Sequence, residues 1–292
     1  MKTIHFAVVG GDMRQAKLAE LLAADGHSVS TFAVRAAAGE RLRPMETAAE
    51  AVKDAQCVVM PLPISAKEMI LNTPLGEGIH MIEQIFAVMR PGQLVCAGRV
   101  SGPVYELAAK HGLRISDYYA REELVVANAV ATAEGAIQLA MSETAVTLWN
   151  AKCLVLGFGR IGKLLAHRLR GLGAHVTVTA RNHGDLAWIR AYGYEARHTE
   201  ELAGYLGGYD VIFNTIPARV LPEERLMEVG KDCLCVDLSS KPGGMDFIAA
   251  GQLGLRAIWA LSLPGEVAPV TSGIIIRDTI YHILEEERSL CG

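Results

Sequence analysis

Short apolar runs alternate with longer amphipathic stretches along most of the 292-residue chain. The runs are rich in Val, Ile and Leu, as in strands buried on both faces of a parallel sheet, and the amphipathic stretches have the period of covering helices. Strands are predicted in two series, at 4–10, 28–34, 57–61, 94–98 and 113–116, and at 152–157, 175–180, 210–215, 233–238 and 256–261. Helices are predicted at 13–24, 78–89, 103–111 and 160–173. The pattern predicts an α/β chain with two Rossmann-like, doubly wound parallel-sheet domains.

The segment between the two series predicts a long connecting helix. It runs from Thr132 to Asn150, contains no Pro and one Gly, and has an apolar side. A last helix is predicted at 271–287, long enough to return to the first domain. We therefore expect a first domain at 1–130 that is completed by the C-terminal helix within 271–292, a connecting helix at 131–149, and a nucleotide-binding domain at 150–270.

Composition and charge narrow the classes of function. The chain has 28 Lys+Arg against 32 Asp+Glu, a formal net charge of −4, and no run of five like charges, which disfavours a nucleic-acid partner. No apolar run approaches the roughly 20 residues that cross a bilayer, so we expect a cytoplasmic protein without a membrane-spanning segment. The six cysteines form no C-x-x-C pair and five lie in apolar runs. We expect buried thiols and no metal site.

A glycine-rich turn follows the strand predicted at 152–157 and opens the helix predicted at 160–173. Its residues are Gly157, Phe158, Gly159, Arg160, Ile161 and Gly162. In this setting the glycines of G-x-G-x-x-G allow a tight turn, a close approach of the backbone to a pyrophosphate and close packing of helix on strand. The next strand begins where a βαβ unit requires it. We therefore predict that residues 157–162 bind a dinucleotide.

The residues after the second strand of this unit indicate which dinucleotide binds. NAD sites usually carry Asp or Glu there, about 20 residues beyond the first glycine. This chain has Arg181 and Asn182 instead, with no carboxylate until Asp185. Because an Arg guanidinium can bind a 2′-phosphate through two donors, we predict NADP(H) in preference to NAD(H). The alternative is that Arg181 is an exposed loop cation. Thr215 and Pro217 are expected at the nicotinamide end.

Candidate substrate-binding residues follow other strand ends, where doubly wound sheets bind their ligands. They are Ser239, Ser240 and Lys241 in the second series, and Arg99 and Ser101 in the first. Arg14 follows a degenerate glycine turn and is interpreted as a further cation for the substrate. The alternative is that Asp12 caps a helix and Arg14 is solvated. Small residues, hydroxyls and isolated cations suit a small anionic ligand.

Six segments carry a resemblance to a known family. They are GGDMRQ, NAVATAEGAIQLAM, VLGFGRIGK, FNTIP, DLSSKPGGMDF and LPGEVAPVTSG, in this order. Along practically the whole chain they resemble the A subunits of dipicolinate synthase from endospore-forming bacteria. The segments SSKPGGMDF and LPGEVAP are much more specific than the glycine motif, which many dehydrogenases share.

This resemblance implies oxidation of a dihydrodipicolinate-type cyclic dicarboxylate, formed from 4-hydroxy-tetrahydrodipicolinate, to dipicolinate, with NADP+ or NAD+ accepting hydride. It also implies that the partner is a flavoprotein-like B subunit, and that the protein is cytoplasmic in the mother cell during spore formation. The two-domain architecture is similar to that of the D-2-hydroxyacid dehydrogenases as well. Those enzymes oxidise an alcohol with a histidine base, but no histidine occurs between His198 and His282, which disfavours hydroxy-acid oxidation.

A hypothesis for the site assigns roles to these residues. Lys241, Ser239 and Ser240 bind one carboxylate, with Lys241 and Ser239 nearest the chemistry, and Arg99, Ser101 or Arg14 binds the other. Glu134, expected at the start of the connecting helix, is the candidate proton acceptor. Aromatisation drives the reaction, so we expect orientation to supply most of the rate. The alternatives are that Ser239 and Ser240 cap a helix and that Glu134 completes a capping box.

Two other functions stay open on the sequence alone. One is an NADP-dependent imine or keto-acid reductase that acts on another small dicarboxylate. The other is a non-catalytic NADP-binding subunit whose active partner is the B chain, which the small number of candidate bases supports. Apolar positions on the connecting and C-terminal helices are compatible with a homo-oligomer.

Overall fold

The computed structural model describes residues 3–290. Cys291 and the final residue of the predicted range 271–292 lie outside the described residues, as do residues 1 and 2. The chain divides into two compact units, unit 1 with Met1–Asn128 and Pro264–Gly292, and unit 2 with Ala129–Leu263. Unit 1 is thus built from two separate segments of the chain, and unit 2 from one.

Unit 1 is an α/β unit around a parallel sheet. Its elements in chain order are β1 (His5–Val9), α1 (Met13–Ala24), β2 (Ser28–Phe32), β3 (Leu42–Pro44), α2 (Ala48–Val52), β4 (Cys57–Val59), β5 (Ser65–Lys67), β6 (Ile70–Leu71), α3 (Ile82–Ala87), β7 (Leu94–Ala97), α4 (Gly102–Lys110), β8 (Arg114–Asp117) and the start of α5 (Glu122–Glu143). The sheet order is β3-β2-β1-β4-β7-β8, and β5 and β6 form a separate antiparallel pair. Two clusters of buried apolar side chains make up its core.

Unit 2 repeats this plan. After the end of α5 it contains β9 (Lys152–Leu156), α6 (Arg160–Gly171), β10 (His175–Ala180), α7 (His183–Ala191), β11 (Glu195–His198), β12 (Val211–Asn214), α8 (Glu223–Leu226), β13 (Leu234–Asp237), α9 (Phe247–Gln252) and β14 (Arg256–Trp259). Its sheet order is β11-β10-β9-β12-β13-β14, with every pair parallel. The chain continues into α10 (Leu263–Val267) and α11 (Pro269–Leu290).

The two sheets share one strand order. Counting only the strands of each sheet, the order is third, second, first, fourth, fifth, sixth, which is the order of dinucleotide-binding Rossmann domains. Ligands of such sheets bind beyond the carboxyl ends of the strands, where the order reverses. In unit 2 that point lies between β9 and β12. The predicted fold class is confirmed.

The predicted connecting helix is wrong in its bounds. The helix α5 begins ten residues before Thr132, at Glu122, where two carboxylates in the first turn favour the helix N-terminus. It ends at Glu143, and just beyond this end the hydroxyl of Thr144 donates to the carbonyl of Ala140 at 2.7 Å. Residues 144–150 form turns and bends instead of helix. The division between the two units falls within α5.

α5 is also the one helix, within residues 3–290, that is long and apolar enough by composition to cross a membrane. Half of its most apolar 18-residue stretch is buried within the protein, and the core helices of water-soluble proteins can have the same length and composition. The five cysteines in the described part of the chain are buried and free, as predicted. Burial raises the pKa of the Cys153 thiol to about 12, which keeps it in the unreactive protonated form.

Candidate nucleotide and substrate site

The glycine turn of unit 2 joins β9 to α6. Gly157 has a φ of 101°, in the left-handed region, and a Cβ on it would lie 2.6 Å from the hydroxyl oxygen of Thr215. A Cβ on Gly162 would collide with the carbonyl oxygen of Gly157. Gly159 precedes α6 in an extended conformation, and no side chain caps the helix. The first amides of α6 therefore keep their capacity to bind a phosphate group.

The other residues of the turn differ in exposure. Phe158 is buried, and the centroid of its ring lies 6.3 Å from the centroid of the Tyr192 ring. The ammonium of Lys163 lies over the face of the Phe158 ring, 5.1 Å from its centroid. Ile161 is half-buried and Arg160 is exposed. Phe158 and Ile161 would therefore contact a dinucleotide chiefly through their backbone atoms.

Arg181 directly follows β10, the strand next to β9 in the sheet. Its side chain is exposed, and its guanidinium has no hydrogen bond or ion pair with another described residue. Asn182, by contrast, caps α7, since its side-chain oxygen accepts the N–H of Asp185 at 2.7 Å. The Asn182 amide also donates to the carboxylate of Asp185 at 2.6 Å. This strand end thus presents a cation, while the nearest carboxylate is engaged by the cap.

A buried polar network that the sequence analysis missed lies at the carboxyl ends of β12 and β13. Asp237 is fully buried and accepts four hydrogen bonds. The donors are the side-chain amide of Asn214 at 2.8 Å, the hydroxyl of Ser239 at 2.7 Å, and the N–H groups of Ser239 at 2.9 Å and Gly244 at 2.7 Å. The polar residues at the ends of these apolar strands could have indicated the network in the sequence. Polar groups are buried only when their hydrogen bonds are satisfied, so neighbouring buried ones are expected to bond to each other.

The Asp237 network holds both ends of the loop that carries Lys241. Ser239 and Gly244 flank the loop, and the indole N–H of Trp259 donates to the Ser239 carbonyl at 2.9 Å. Within the loop, the N–H of Gly243 donates to the carbonyl of Ser240 at 3.0 Å and closes a turn around Lys241. Lys241 is exposed and Ser240 half-buried. The loop therefore presents the ammonium of Lys241 on a backbone whose two ends are held by hydrogen bonds to Asp237.

Ser239 does not fit the role of a group next to the chemistry. The residue is 3 % exposed, and its hydroxyl donates to the buried Asp237 carboxylate. It also does not cap a helix, which was the alternative.

The hydroxyl of Thr215, at the end of β12, donates to the carbonyl of Leu156 at 2.9 Å beside the glycine turn, and Pro217 is exposed two residues later.

In unit 1, Asp117 fixes the loop that bears Arg99 and Ser101. Its carboxylate accepts the N–H of Arg99 at 2.9 Å and the N–H of Val100 at 2.8 Å. Arg99 has a φ of 56°, unusual for a residue with a side chain, and these two bonds hold it there. Both Arg99 and Ser101 are exposed, and the Ser101 hydroxyl makes no capping bond to α4. Burial, and then the Asp117 charge, raises the pKa of the neighbouring Tyr105 phenol.

Arg14 is not available to a substrate, contrary to the prediction. Its side chain is 6 % exposed and pairs with the Asp12 carboxylate at 2.7 Å, and the same nitrogen donates to the carbonyl of Leu62 at 2.6 Å. Asp12 also caps α1, as the alternative interpretation expected, but Arg14 is not solvated. A buried guanidinium keeps such partners, because breaking the pair would leave an uncompensated charge.

Glu134 lies in the middle of α5, not at its start. It cannot complete a capping box there, and its exposed carboxylate pairs with Arg168 at 3.2 Å. Arg168 stands eight residues beyond Arg160, which places it about 12 Å along α6 from the glycine turn. This position gives no support to Glu134 as the proton acceptor.

In unit 2 the glycine turn, Arg181, Thr215 and the Lys241 loop all lie at the carboxyl edge of one sheet. The strand order, the open helix N-terminus and the exposed cation fit a nicotinamide dinucleotide. Residues 120–227 match the family "D-isomer specific 2-hydroxyacid dehydrogenase, NAD binding domain". The fold and this site define an NAD(P)-dependent oxidoreductase.

Similarity to known proteins also defines the family. Residues 5–119 match the family of N-terminal domains of the dipicolinate synthase A subunit. The A subunit of dipicolinate synthase from Bacillus subtilis strain 168 is a relative that is 32% identical over 230 residues, which cover 78% of this chain and 77% of the relative. The chain therefore belongs to the family of dipicolinate synthase A subunits, as the sequence motifs predicted.

Two solved structures are similar over nearly the whole chain. The structure of the dipicolinate synthase A subunit from Bacillus halodurans has a TM-score of 0.87 at 29% identity, covering 97% of this chain and 99% of that one. The structure of its counterpart from Bacillus subtilis has a TM-score of 0.85 at 27% identity, covering 99% and 98%.

Proposed function

We propose that this chain oxidises a dihydrodipicolinate-type cyclic dicarboxylate, formed from 4-hydroxy-tetrahydrodipicolinate, to dipicolinate, with NADP+ as the hydride acceptor. The observation that carries the proposal is the 32% identity to a relative named for the A subunit of dipicolinate synthase. The glycine turn and the Lys241 loop at one edge of the unit 2 sheet support it. The first would bind the dinucleotide, and the second would bind an anionic substrate beside it.

The proposed preference for NADP(H) rests on Arg181. A guanidinium in this position can donate two parallel hydrogen bonds to a 2′-phosphate. The carboxylate that would favour NAD(H), by accepting from the ribose hydroxyls, is missing from the end of β10, and Asp185 is engaged with Asn182. Asn182 contributes to this site by beginning α7, since its own side chain is used as the cap.

The proposed reaction does not require a strong acid or base. The bound dinucleotide would supply a hydride acceptor, and the substrate would lose one hydride and one proton as its ring becomes aromatic. Lys241 would pair with a substrate carboxylate through its ammonium, and the Ser240 hydroxyl would donate to the same group. Ser239 would act through the loop, by way of its bonds to Asp237. Such positioning can lower a barrier without a strong base.

Arg99 and Ser101 are the proposed contacts for the second carboxylate. Arg99 is exposed, and the Asp117 carboxylate holds its backbone. The Ser101 hydroxyl is not used to cap α4. A guanidinium and a neighbouring hydroxyl together can bind a carboxylate in a defined orientation.

We further propose that the chain works with a second, flavoprotein-like B subunit in the cytoplasm of the sporulating mother cell. The relative and the matching family are both named for one subunit of a synthase, which supports a two-chain enzyme. One observation favours a second candidate function, a non-catalytic NADP-binding subunit. The candidate proton acceptor, Glu134, is paired with Arg168, and Arg168 lies about 12 Å along α6 from the glycine turn.

The experiment that separates these functions measures NADPH formation by the purified chain with freshly generated dihydrodipicolinate. Turnover by the chain alone supports the proposed oxidation. Turnover only after the B subunit is added assigns the reaction to a composite of the two chains. Tight NADP+ binding without turnover in either case would leave the non-catalytic function, and turnover of other small dicarboxylates alone would favour a different reductase.

A further inference from the structure

Two adjacent residues at the end of β11 contact both parts of the nucleotide site. β11 lies next to β10 in the sheet, and Ala180 is in register with His198. His198 is the last residue of the strand, and Thr199 follows it. One of these two residues bonds toward Arg181 and the other toward the glycine turn, so a single strand end touches the two elements that would bind different parts of the dinucleotide.

His198 forms a hydrogen bond with the backbone of Arg181. Its Nε2 lies 2.7 Å from the carbonyl oxygen of Arg181, and because a carbonyl can only accept, Nε2–H is the donor. Its Nδ1 accepts the N–H of Glu200 at 3.4 Å. One neutral form of the ring, with the proton on Nε2, satisfies both contacts. The bond to His198 thus anchors the backbone of the residue whose guanidinium is exposed.

Thr199 is linked to the glycine turn through a second hydroxyl. Its Oγ1 donates to Oγ1 of Thr179 at 3.2 Å, and the same Thr179 oxygen accepts the N–H of Gly157 at 3.2 Å. Thr179 and Thr199 are both buried, so water does not replace these bonds easily. The chain of bonds ends at the first glycine of the turn, which serves any dinucleotide.

We propose that His198 is a specificity-determining positioning residue that selects NADP(H) over NAD(H) by fixing the backbone of Arg181. Thr199, one residue later, positions the turn that both dinucleotides share. The proposal rests on the proposed binding of NADP(H) through Arg181. It goes further by naming a residue on another strand whose loss changes the choice of cofactor without touching the cofactor itself.

The test compares dissociation constants of NADPH and NADH for four variants of the full chain. In His198→Ala the Kd for NADPH should rise about fivefold, the factor that one hydrogen bond between neutral groups typically contributes, while the Kd for NADH should change by less than about twofold. His198→Gln, which keeps a donor, should recover most of the preference. In Thr199→Val the Kd for NADPH and the Kd for NADH should rise by the same factor. His167→Ala, at an exposed position of α6, is the matched control and should change neither.

The outcomes separate this inference from the proposed function. If the wild type prefers NADPH but His198→Ala leaves the ratio of the two constants unchanged, or weakens both equally, the role of His198 is overturned and that of Arg181 stands. If the wild type binds NADH as tightly as NADPH, the proposed cofactor preference fails, and the role of His198 fails with it. The Gln variant keeps the test valid should the Ala variant lose its fold.

Discussion

The side-chain amide of Asn214 donates a hydrogen bond of 2.8 Å to the carboxylate of Asp237, and both residues are fully buried. The same amide donates to the carbonyl of Ile216 at 3.0 Å, so the ends of β12 and β13 are joined through one side chain. The carboxylate in turn accepts from both ends of the Lys241 loop. A buried carboxylate without contact to solvent thus determines the shape of the loop that presents the exposed cation.

The first prediction concerns this carboxylate. Asp237→Asn replaces one acceptor oxygen by an NH2 group that faces donors, so at least one buried N–H loses its partner. We expect the free energy of unfolding to fall by about 2 kcal/mol, the usual cost of an unsatisfied buried polar group. Urea unfolding measures it. Asp232→Asn, an exposed change just before β13, should have no effect, and equal stability of both variants would contradict the role of the network.

The second prediction concerns the adenosine end of the site. Arg181→Asp removes the cation and adds a negative charge, so we expect the Kd for NADPH to rise by about tenfold to a hundredfold, as for the loss of a charge-assisted contact. The Kd for NADH should stay the same or fall. Titration calorimetry with both dinucleotides checks this, with Arg190→Asp, an exposed position on α7, as the control. An unchanged NADPH affinity would remove Arg181 from the site.

The third prediction concerns the substrate. In Lys241→Ala we expect kcat/KM for dihydrodipicolinate to fall by about tenfold or more, because an ammonium–carboxylate contact is lost, while the Kd for NADPH stays the same. Steady-state kinetics at saturating NADP+ measures the effect. Lys152→Ala, at an exposed position at the start of β9, is the matched control. A kcat/KM equal to that of the wild type would show that Lys241 does not contact the substrate.

The fourth prediction concerns pH. Arg121 donates two hydrogen bonds to the Glu286 carboxylate, at 2.7 and 2.6 Å, and this contact lowers the pKa of Glu286 below its ordinary value of 4.5. A lowered pKa means that the pair stabilises the fold above the ordinary value, and that this stabilisation is lost as the pH falls through the lowered one. The stability difference between the wild type and Glu286→Gln should therefore be present at neutral pH and vanish in acid.

Chemical unfolding at a series of pH values measures that difference. Glu285→Gln, an exposed neighbour on α11, is the control and should show no such dependence. Because Glu286 is exposed and Arg121 half-buried, salt should reduce the difference as well. A stability difference that persists unchanged into acid would rule out the Arg121 contact as its cause.

The regular parts of the fold could be predicted because each sheet is buried. β10 and α1 have the predicted bounds, 175–180 and 13–24. β3 and β11 were missed, because each lies at the edge of its sheet and carries polar residues where a central strand has an apolar run. The end of α5 was missed because no Gly or Pro marks it anywhere in residues 142–150.

The candidate site was predictable where a backbone motif defines it. The glycine turn of residues 157–162 depends on local geometry, so its spacing indicates its place. Arg14 depends on the carbonyl of Leu62, which is distant in sequence, and no local pattern indicates that contact. The same holds for His198, whose bond to Arg181 exists only because β11 pairs with β10.

The close packing of α11 on α1 has a consequence for the order of folding in the cell. Gly273 of α11 lies so near α1 that a Cβ on it would be 3.0 Å from the backbone nitrogen of Leu18, and apolar residues of the two helices share one core. The ribosome makes α1 first and α11 after all of unit 2. A nascent chain can thus complete unit 2 while α1 still exposes apolar surface, which makes unfinished unit 1 the part that a chaperone would recognise.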